Sequence, residues 1–227
     1  MKGNKIFNSQ IKEVGRFCLD VGNKGIKNEP MFFNCDYSFA YENGGEITRS
    51  FLESLPDSWK NAPLVFDSRV HMLFPEWCPA ICGFHHDDVP RPPKEEGSNS
   101  VAGQPDYDNT SYFSEHILGL VNADICPTLF AIGEAEFNEV PKGVNVYKQW
   151  HKEVEDKLAK GELIGVEAKD RTLYQFDWST WHTAQFANKA GWRWFGRVSR
   201  NTDRLNNISN EIRVNAQVYL KHPFEGW

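Results

Sequence analysis

The chain has 227 residues, of which 40% are hydrophobic, 25% are charged and 14% are aromatic, and its formal net charge is −6. This length accommodates one well-buried core, so we expect a single domain over residues 1–227. The acidic balance argues against a broad basic face that binds nucleic acid. We find no apolar run approaching about 20 residues and no signal region at the start, and we therefore expect a cytoplasmic protein that does not enter a membrane.

The cysteines are odd in number and irregularly spaced, at positions 18, 35, 78, 82 and 126. Cys78 and Cys82 lie close enough in sequence to share a metal, but there is no second cysteine pair to complete a zinc site. We therefore expect reduced thiols, as is usual in the cytosol.

The first 60 residues contain one clear element. Residues 11–21 fit either a short helix or a strand pair interrupted at Gly15. Ile47, Phe51 and Leu55 recur at a spacing of four before Pro56, which predicts a helix over residues 45–55. We expect residues 1–60, approximately, to cover a sheet that the rest of the chain forms.

From Leu64 the pattern changes to that of strands. Residues 63–74 predict a strand that ends at Pro75, and residues 79–84 predict a second one. Residues 116–122 and 127–132 predict two adjacent core strands. Between these pairs, residues 89–109 are rich in Pro, Gly, Ser and Asn, and such a long loop is either functional or a disordered insertion.

The second half of the chain contains one helix pattern and several short strands. Tyr147, Trp150, Val154 and Leu158 share one face of a helix over residues 146–159. The strands that follow are predicted at 163–166, 172–176, 181–186, 192–199 and 212–220. Many strands with few helices favour a mainly β fold, a sandwich or jelly roll with covering α-helices and a core over residues 61–220.

Four side chains that can bind a metal lie side by side at His85, His86, Asp87 and Asp88. Residues i and i+2 of a strand point to one face, so either His85 with Asp87 or His86 with Asp88 could bind one ion from one side. The third ligand must come from elsewhere in the chain. Two histidines and one carboxylate on one face of an ion are typical of non-heme Fe(II) oxygenases, because they leave coordination positions open.

The order His-x-Asp, a distant His182, ten further residues and then Arg193 resembles the Fe(II)/2-oxoglutarate-dependent oxygenases, in particular their phytanoyl-type branch. The resemblance covers residues 64–199. It implies a double-stranded β-helix core, related to the cupins, in which His85, Asp87 and His182 bind the metal. An aromatic residue often precedes the first ligand in this family, as Phe84 does here, which favours His85 and Asp87 over His86 and Asp88.

The resemblance also implies the cofactors Fe(II), 2-oxoglutarate and O₂. The chain would then be a dioxygenase that hydroxylates a small-molecule or peptide substrate and releases succinate and CO₂. The remote carboxylate of 2-oxoglutarate needs a cation, and a guanidinium binds carboxylate in a bidentate manner. Arg193 has the family spacing, whereas Arg197 begins an Arg-x-Ser pair with Ser199 that some members use, and the three positions share one face of a regular strand.

Two other interpretations remain open at this point. A cupin-like metalloenzyme that does not use 2-oxoglutarate would share the metal ligands but would not need Arg193 or Arg197. A non-enzymatic jelly-roll binding module would leave the His/Asp cluster without a chemical role. The sequence does not indicate the identity of the substrate or the oligomeric state.

Overall fold

The computed structural model describes residues 3–91, 104–140 and 144–220. Most of the loop predicted over residues 89–109 therefore lies outside the described residues. The α-helices are α1 (Asn23–Asn28), α2 (Tyr37–Asn43), α3 (Glu46–Glu53), α4 (Asp57–Lys60) and α5 (Val146–Lys160). Short 3₁₀ helices span Ala123–Ile125 and Asp203–Asn207. The strands are β1 (Lys5–Ser9), β2 (Ile11–Arg16), β3 (Met31–Phe33), β4 (Val65–Leu73), β5 (Trp77–Cys78), β6 (Glu115–Val121), β7 (Thr128–Phe137), β8 (Ile164–Glu167), β9 (Thr172–Asp177), β10 (Trp181–Ala184), β11 (Gly191–Arg200), β12 (Glu211–Arg213) and β13 (Tyr219–Leu220).

Two antiparallel sheets contain most of these strands. The larger sheet has five strands in the order β2-β9-β6-β11-β4. In the smaller, four-stranded sheet, β7 pairs with β1, β8 and β10. The pairs β12-β3 and β13-β5 are separate two-stranded ladders. The fold is thus mainly β, as predicted, and is compatible with a β-sandwich or jelly roll.

The two faces of the larger sheet differ in character because side chains alternate along each strand. Phe66 and Trp194 lie on the outer face, in an apolar cluster with Phe51 of α3 and Trp59 of α4. The opposite face turns towards the smaller sheet. Part of the space between the sheets is filled by a second apolar cluster, and the remainder is the cavity described below.

Helices α3 and α5 form where the sequence predicts them. No local side chain caps the start of α3; instead the buried carboxylate of Glu29 accepts hydrogen bonds from the backbone N–H groups of Gly45, Ile47 and Thr48 at 3.0, 3.3 and 2.8 Å. These N–H groups have no partner within a helix, so Glu29 stabilises the helix start from a distance. Helix α5 has a local cap at Asn145.

Several sequence-based expectations are wrong in detail. Strands β6 and β7 are consecutive but belong to opposite sheets. The stretch predicted as one strand over 212–220 forms β12 and β13, which pair with different partners. Residues 79–84 form no strand of their own. In each case the apolar pattern predicts a strand from local sequence, but strand pairing depends on residues far away in sequence.

The N-terminal segment contributes strands as well as cover. Residues 11–16 are a strand with a register shift between Glu13 and Gly15, and β2 extends the larger sheet beside β9. Strand β1 pairs with β7 in the smaller sheet. No helix in the described part of the chain combines the length and the apolar character that crossing a membrane would require.

Candidate metal centre

The backbone brings His85 and His182 together. The two residues form an isolated antiparallel bridge in which each N–H donates to the other's carbonyl, at 3.1 and 3.3 Å. Their ring centroids lie 4.6 Å apart. His182 belongs to β10, so the segment around His85 pairs with the smaller sheet by this single bridge. Asp87 follows two residues later and turns its carboxylate towards the same two rings.

The three side chains present one ligand atom each to a common point. His182 Nε2 lies 2.9 Å from Asp87 Oδ2, and His85 Nε2 lies 3.7 Å from Asp87 Oδ1. All three ligand atoms are within 4.8 Å of one another. Ligands about 2 Å from a metal ion lie up to about 4 Å apart, so small shifts would let all three bind one ion. The predicted residues are therefore assembled in space.

Hydrogen bonds orient both imidazoles. His85 Nδ1 lies 2.8 Å from the carbonyl oxygen of Gly83, and His182 Nδ1 lies 2.9 Å from that of Thr180. A carbonyl only accepts, so each Nδ1 carries the hydrogen and each Nε2 is left with a lone pair. This is the orientation that metal-binding histidines generally have.

One contact in the cluster requires a cation. In the tautomer just described, the Nε2 lone pair of His182 faces the Asp87 carboxylate at 2.9 Å, and both atoms are acceptors. Either a second ring proton or a metal ion would satisfy both atoms. The donor set, two imidazoles and one carboxylate, suits Fe(II) among other divalent metals.

Burial and charge place His85 and Asp87 in protonation states suited to metal binding. Burial, reinforced by His182, lowers the pKa of His85 to about 4, so this imidazole is neutral at neutral pH. Burial alone would raise the pKa of Asp87, but Arg197 and His182 outweigh it and hold the pKa well below its usual range. Asp87 is therefore ionised, as a metal ligand must be.

A network of charges fixes the Asp87 carboxylate. The Arg197 guanidinium contacts Asp87 Oδ2 and also lies 3.6 Å from Asp67, which is only 6% exposed. Arg204 binds Asp67 at 2.7 Å and lies 3.5 Å from Asp88. Arg197 is thus held between two carboxylates, and a charge-assisted contact of this kind restricts the rotation of Asp87.

Arg193 lies four residues before Arg197 on β11 but in a different environment. It is 2% exposed, and no carboxylate among the described residues lies within ion-pairing distance. Its Nε has no hydrogen-bond partner within residues 3–91, 104–140 and 144–220. Its neighbours are the ring of Phe195, 6.0 Å away, and His71 opposite it on β4. A buried cation without a partner is costly, so this position favours an anionic ligand.

The metal position and Arg193 share one cavity of about 470 Å³ between the sheets. Its polar walls come from two strands of the larger sheet, from β10 of the smaller sheet, from the segment around His85 and from Arg204. The lining includes Asp67, Arg69, His71, His85, Asp87, Asp88, His182, Arg193 and Arg197. This volume is in the range typical of small-molecule sites.

The other candidates are placed differently. His86 turns away from the cavity; its ring packs on Trp181 at a centroid distance of 3.6 Å, and its Nδ1 lies 2.8 Å from the Tyr107 hydroxyl. Asp88 faces Arg204. Ser199 is buried, and its hydroxyl lies 2.8 Å from His116 Nδ1 instead of lining the cavity. Arg193 and Arg197 thus line the cavity together, as a shared strand face predicts. Ser199 does not line it and makes a structural contact with His116 instead.

Sequence reasoning missed the wall that β4 supplies. Asp67, Arg69 and His71 alternate with Phe66, Ser68 and Val70, and all three line the cavity. The sequence signal is that ionisable residues occupy every second position of this strand, which marks a face that is buried yet polar. Asp67 pairs with Arg197 and Arg204. Both partners come from far along the chain, so no local sequence pattern predicts them.

Comparisons of the chain with protein-family models, with curated proteins and with solved structures each give no match. The function is therefore inferred from the geometry and chemistry of the site.

Proposed function

We propose that this protein is a non-heme Fe(II)- and 2-oxoglutarate-dependent dioxygenase that hydroxylates a small-molecule or peptide substrate. Succinate and CO₂ would be released. One observation carries the proposal: His85, Asp87 and His182 meet in a cavity whose wall also holds the buried Arg193, which has no carboxylate partner in the described part of the chain. A metal position and a separate cation in one cavity suit a dicarboxylate that binds at both ends.

The path of the chain supports a double-stranded β-helix core. After β4 in the larger sheet, the chain passes to the smaller sheet at His85 and returns to the larger one at β6. It then crosses to β7 and β8, back to β9, over to β10 and back to β11. Repeated crossing between two antiparallel sheets is what a chain that winds such a core must do.

The residues present fit Fe(II). The two Nε2 lone pairs and the ionised Asp87 form the mixed nitrogen and oxygen donor set that this metal prefers. When bound, Fe(II) would supply the open coordination positions and the oxidising chemistry, with 2-oxoglutarate and O₂ as co-reactants. The carbonyls of Gly83 and Thr180 keep both Nε2 atoms aimed at the metal position, and Arg197 holds the Asp87 carboxylate.

Arg193 is the better partner for the remote carboxylate of 2-oxoglutarate. Arg197 is already neutralised by Asp87 and Asp67, whereas Arg193 has no carboxylate partner among the described residues. Four residues of strand separate their Cα atoms by about 13 Å. Arg193 thus lies well away from the Asp87 end of the cavity, as a chelating dicarboxylate requires. The planar guanidinium of Arg193 can bind a carboxylate through two parallel hydrogen bonds.

The direct test is release of succinate from 2-oxoglutarate by the purified protein with Fe(II) and O₂. We expect slow turnover even without the true substrate, and stabilisation against heat by 2-oxoglutarate only when metal is present. His182→Ala should weaken Fe(II) binding by about 100-fold or more, since it removes a direct ligand. His151→Gln is the matched control, because His151 lies outside the cavity and accepts a hydrogen bond that a glutamine can replace.

Two outcomes would contradict the proposal in different ways. Metal binding without any effect of 2-oxoglutarate would indicate a cupin-like metalloenzyme of another kind. Absence of divalent metal binding near neutral pH would leave a jelly-roll binding module. Unchanged Fe(II) affinity in His182→Ala would remove this histidine from the site.

A further inference from the structure

Arg69 stands in the cavity wall between the two β11 arginines. It lies on β4, the edge strand of the larger sheet, directly opposite Phe195. Directly opposed residues are about 5 Å apart and diagonal neighbours about 7–8 Å apart. Arg69 is therefore a diagonal neighbour of both Arg193 and Arg197, and its side chain lines the same cavity.

The hydrogen bonds of Arg69 leave part of its guanidinium available. Nη1 donates to the carbonyl oxygens of Phe32 and Ser68, at 2.7 Å each. These two bonds anchor the group without neutralising it. No carboxylate among the described residues lies within ion-pairing distance of Arg69. Nε and Nη2 can therefore donate to a ligand in the cavity.

A second guanidinium lies over the same aromatic ring as the first. Arg213, from β12, stacks on the Phe33 ring with its Cζ 3.7 Å from the centroid, and the Cζ of Arg69 lies 5.6 Å from the same centroid. Arg213 donates from Nε to Glu211 at 2.8 Å, which leaves its two Nη groups. Burial first, and then repulsion by Arg213 and Arg197, lower the pKa of Arg69, while Asp67 opposes them. An anion between the two guanidinium groups would relieve that repulsion.

Arg69 lies where the metal cavity meets a second one. A neighbouring cavity of about 530 Å³ is lined by Arg69, Arg213 and Glu211 and shares His71 and His85 with the first. Arg69 thus lines both the metal cavity and the neighbouring cavity. A molecule held at Arg69 would extend inwards towards His85.

Two of the arginines that line the cavity form no ion pair with a carboxylate among the described residues. Arg197 and Arg204 are neutralised by aspartates, and Arg213 is partly neutralised by Glu211. Arg193 and Arg69 have no carboxylate partner among the described residues. If 2-oxoglutarate takes Arg193, Arg69 remains for a second anion.

We propose that Arg69 and Arg213 form an oxyanion site that binds an acidic group of the substrate, so that the substrate is a small carboxylic acid or phosphate ester. Phe33 and Phe195 would contact its apolar part. This assignment of the substrate class rests on the proposed function. The carbon presented to the metal would then be one that lies a short chain length from the acidic group.

The test uses the full chain loaded with Mn(II) and saturated with 2-oxoglutarate under anaerobic conditions, which fills Arg193 and prevents turnover. Inorganic phosphate and benzoate are then titrated separately by calorimetry. We expect at least one to bind the wild type saturably, and to bind Arg69→Gln and Arg213→Gln at least about tenfold more weakly. Binding of phosphate alone would indicate a phosphate ester, and binding of benzoate alone a carboxylic acid.

Two further variants control the result. Arg49→Gln removes the same charge from a surface arginine that also donates to two backbone carbonyls, and it should bind the probes like the wild type. Arg69→Lys keeps the charge but loses the planar fork, and intermediate binding is expected. If Arg69→Gln does not fold, Arg213→Gln decides the matter alone.

Probe binding that is equal in the wild type and both glutamine variants, or absent from the wild type, would overturn the inference. Failure of the proposed function looks different. In that case 2-oxoglutarate does not bind the Mn(II) form, and the titration is repeated in Arg193→Gln so that this cation cannot contribute. Arg69-dependent binding there would leave the oxyanion site in place without the oxygenase.

Discussion

The two arginines of β11 show how differently one residue type is used on one face of one strand. Arg197 is held between Asp87 and Asp67, and Arg204 continues the chain of ion pairs to Asp88. Arg193 is more deeply buried than Arg197, but no carboxylate among the described residues is near it. One end of the strand is electrostatically complete within the protein, and the other is not.

The difference separates two functions that sequence spacing alone cannot distinguish. A guanidinium already bound by two carboxylates fixes protein geometry, here the rotation of a candidate metal ligand. A guanidinium without a partner stores a desolvation cost that a ligand can relieve. Removing one arginine or the other should therefore have opposite effects on the stability of the ligand-free protein.

The largest effect is expected at the paired end. Arg197→Met leaves Asp87 and Asp67 with fewer compensating charges, and breaking a buried pair from one side costs about 3–5 kcal/mol. Denaturant unfolding of the metal-free protein would measure the loss. Arg200→Met is the control, since Arg200 on the same strand pairs with the more exposed Glu115, and its loss should cost about 1 kcal/mol or less. Equal losses in the two variants would mean that the Arg197 network has no special role.

Arg193→Met should do the reverse. The metal-free protein should keep its stability or gain about 1 kcal/mol, because a buried charge without a partner is removed. The affinity of the metal-loaded protein for 2-oxoglutarate should fall by about 2–3 kcal/mol, the worth of charge-assisted hydrogen bonds. Calorimetric titration measures the affinity, and Arg193→Lys should recover only part of it. A destabilised variant with normal affinity would assign Arg193 a structural role.

The contrast also shows what the sequence could and could not reveal. Helices α3 and α5 were predictable because Ile47 and Phe51, or Trp150 and Val154, repeat within a few residues. The choice between His85 and His86 depended on the resemblance alone; in the structure His85 lies beside Asp87 and His182, whereas His86 packs on Trp181. The partners of Arg197 were not predictable, since they depend on strand order in the sheets.

His151 illustrates the same limit in one residue. Its helix carries many charged side chains, a pattern that by itself favours a solvated imidazole. Its Nδ1 instead accepts a hydrogen bond at 3.1 Å from the backbone N–H of Phe84, next to a candidate ligand. The contact is made by the packing of α5 against the segment around His85, and no local pattern encodes it.

Acid titration should sharpen the comparison further. The folded-state pKa of Asp87 is depressed, so its contribution to stability is present above the unfolded value of about 3.9 and is lost as the pH falls through the folded value. In Arg197→Met the charge that lowers the pKa of Asp87 is lost while the effect of burial remains, so this pKa should rise. The stability gap between wild type and variant should therefore be widest near neutral pH and narrow below about pH 4. A gap that is constant with pH would indicate a packing effect.

The smallest effect is expected at His71, which faces Arg193 across the strand pair. Burial, and then the Arg193 charge, lower the pKa of His71 to about 4. Because this lies below the unfolded value of about 6.5, the folded state loses stability as the pH falls between the two values. Arg193→Met should raise the pKa of His71 only in part, since burial remains, and NMR titration of the ring would detect the change. An unchanged pKa would mean that the charge of Arg193 is already compensated, and the two ends of β11 would then be electrostatically alike.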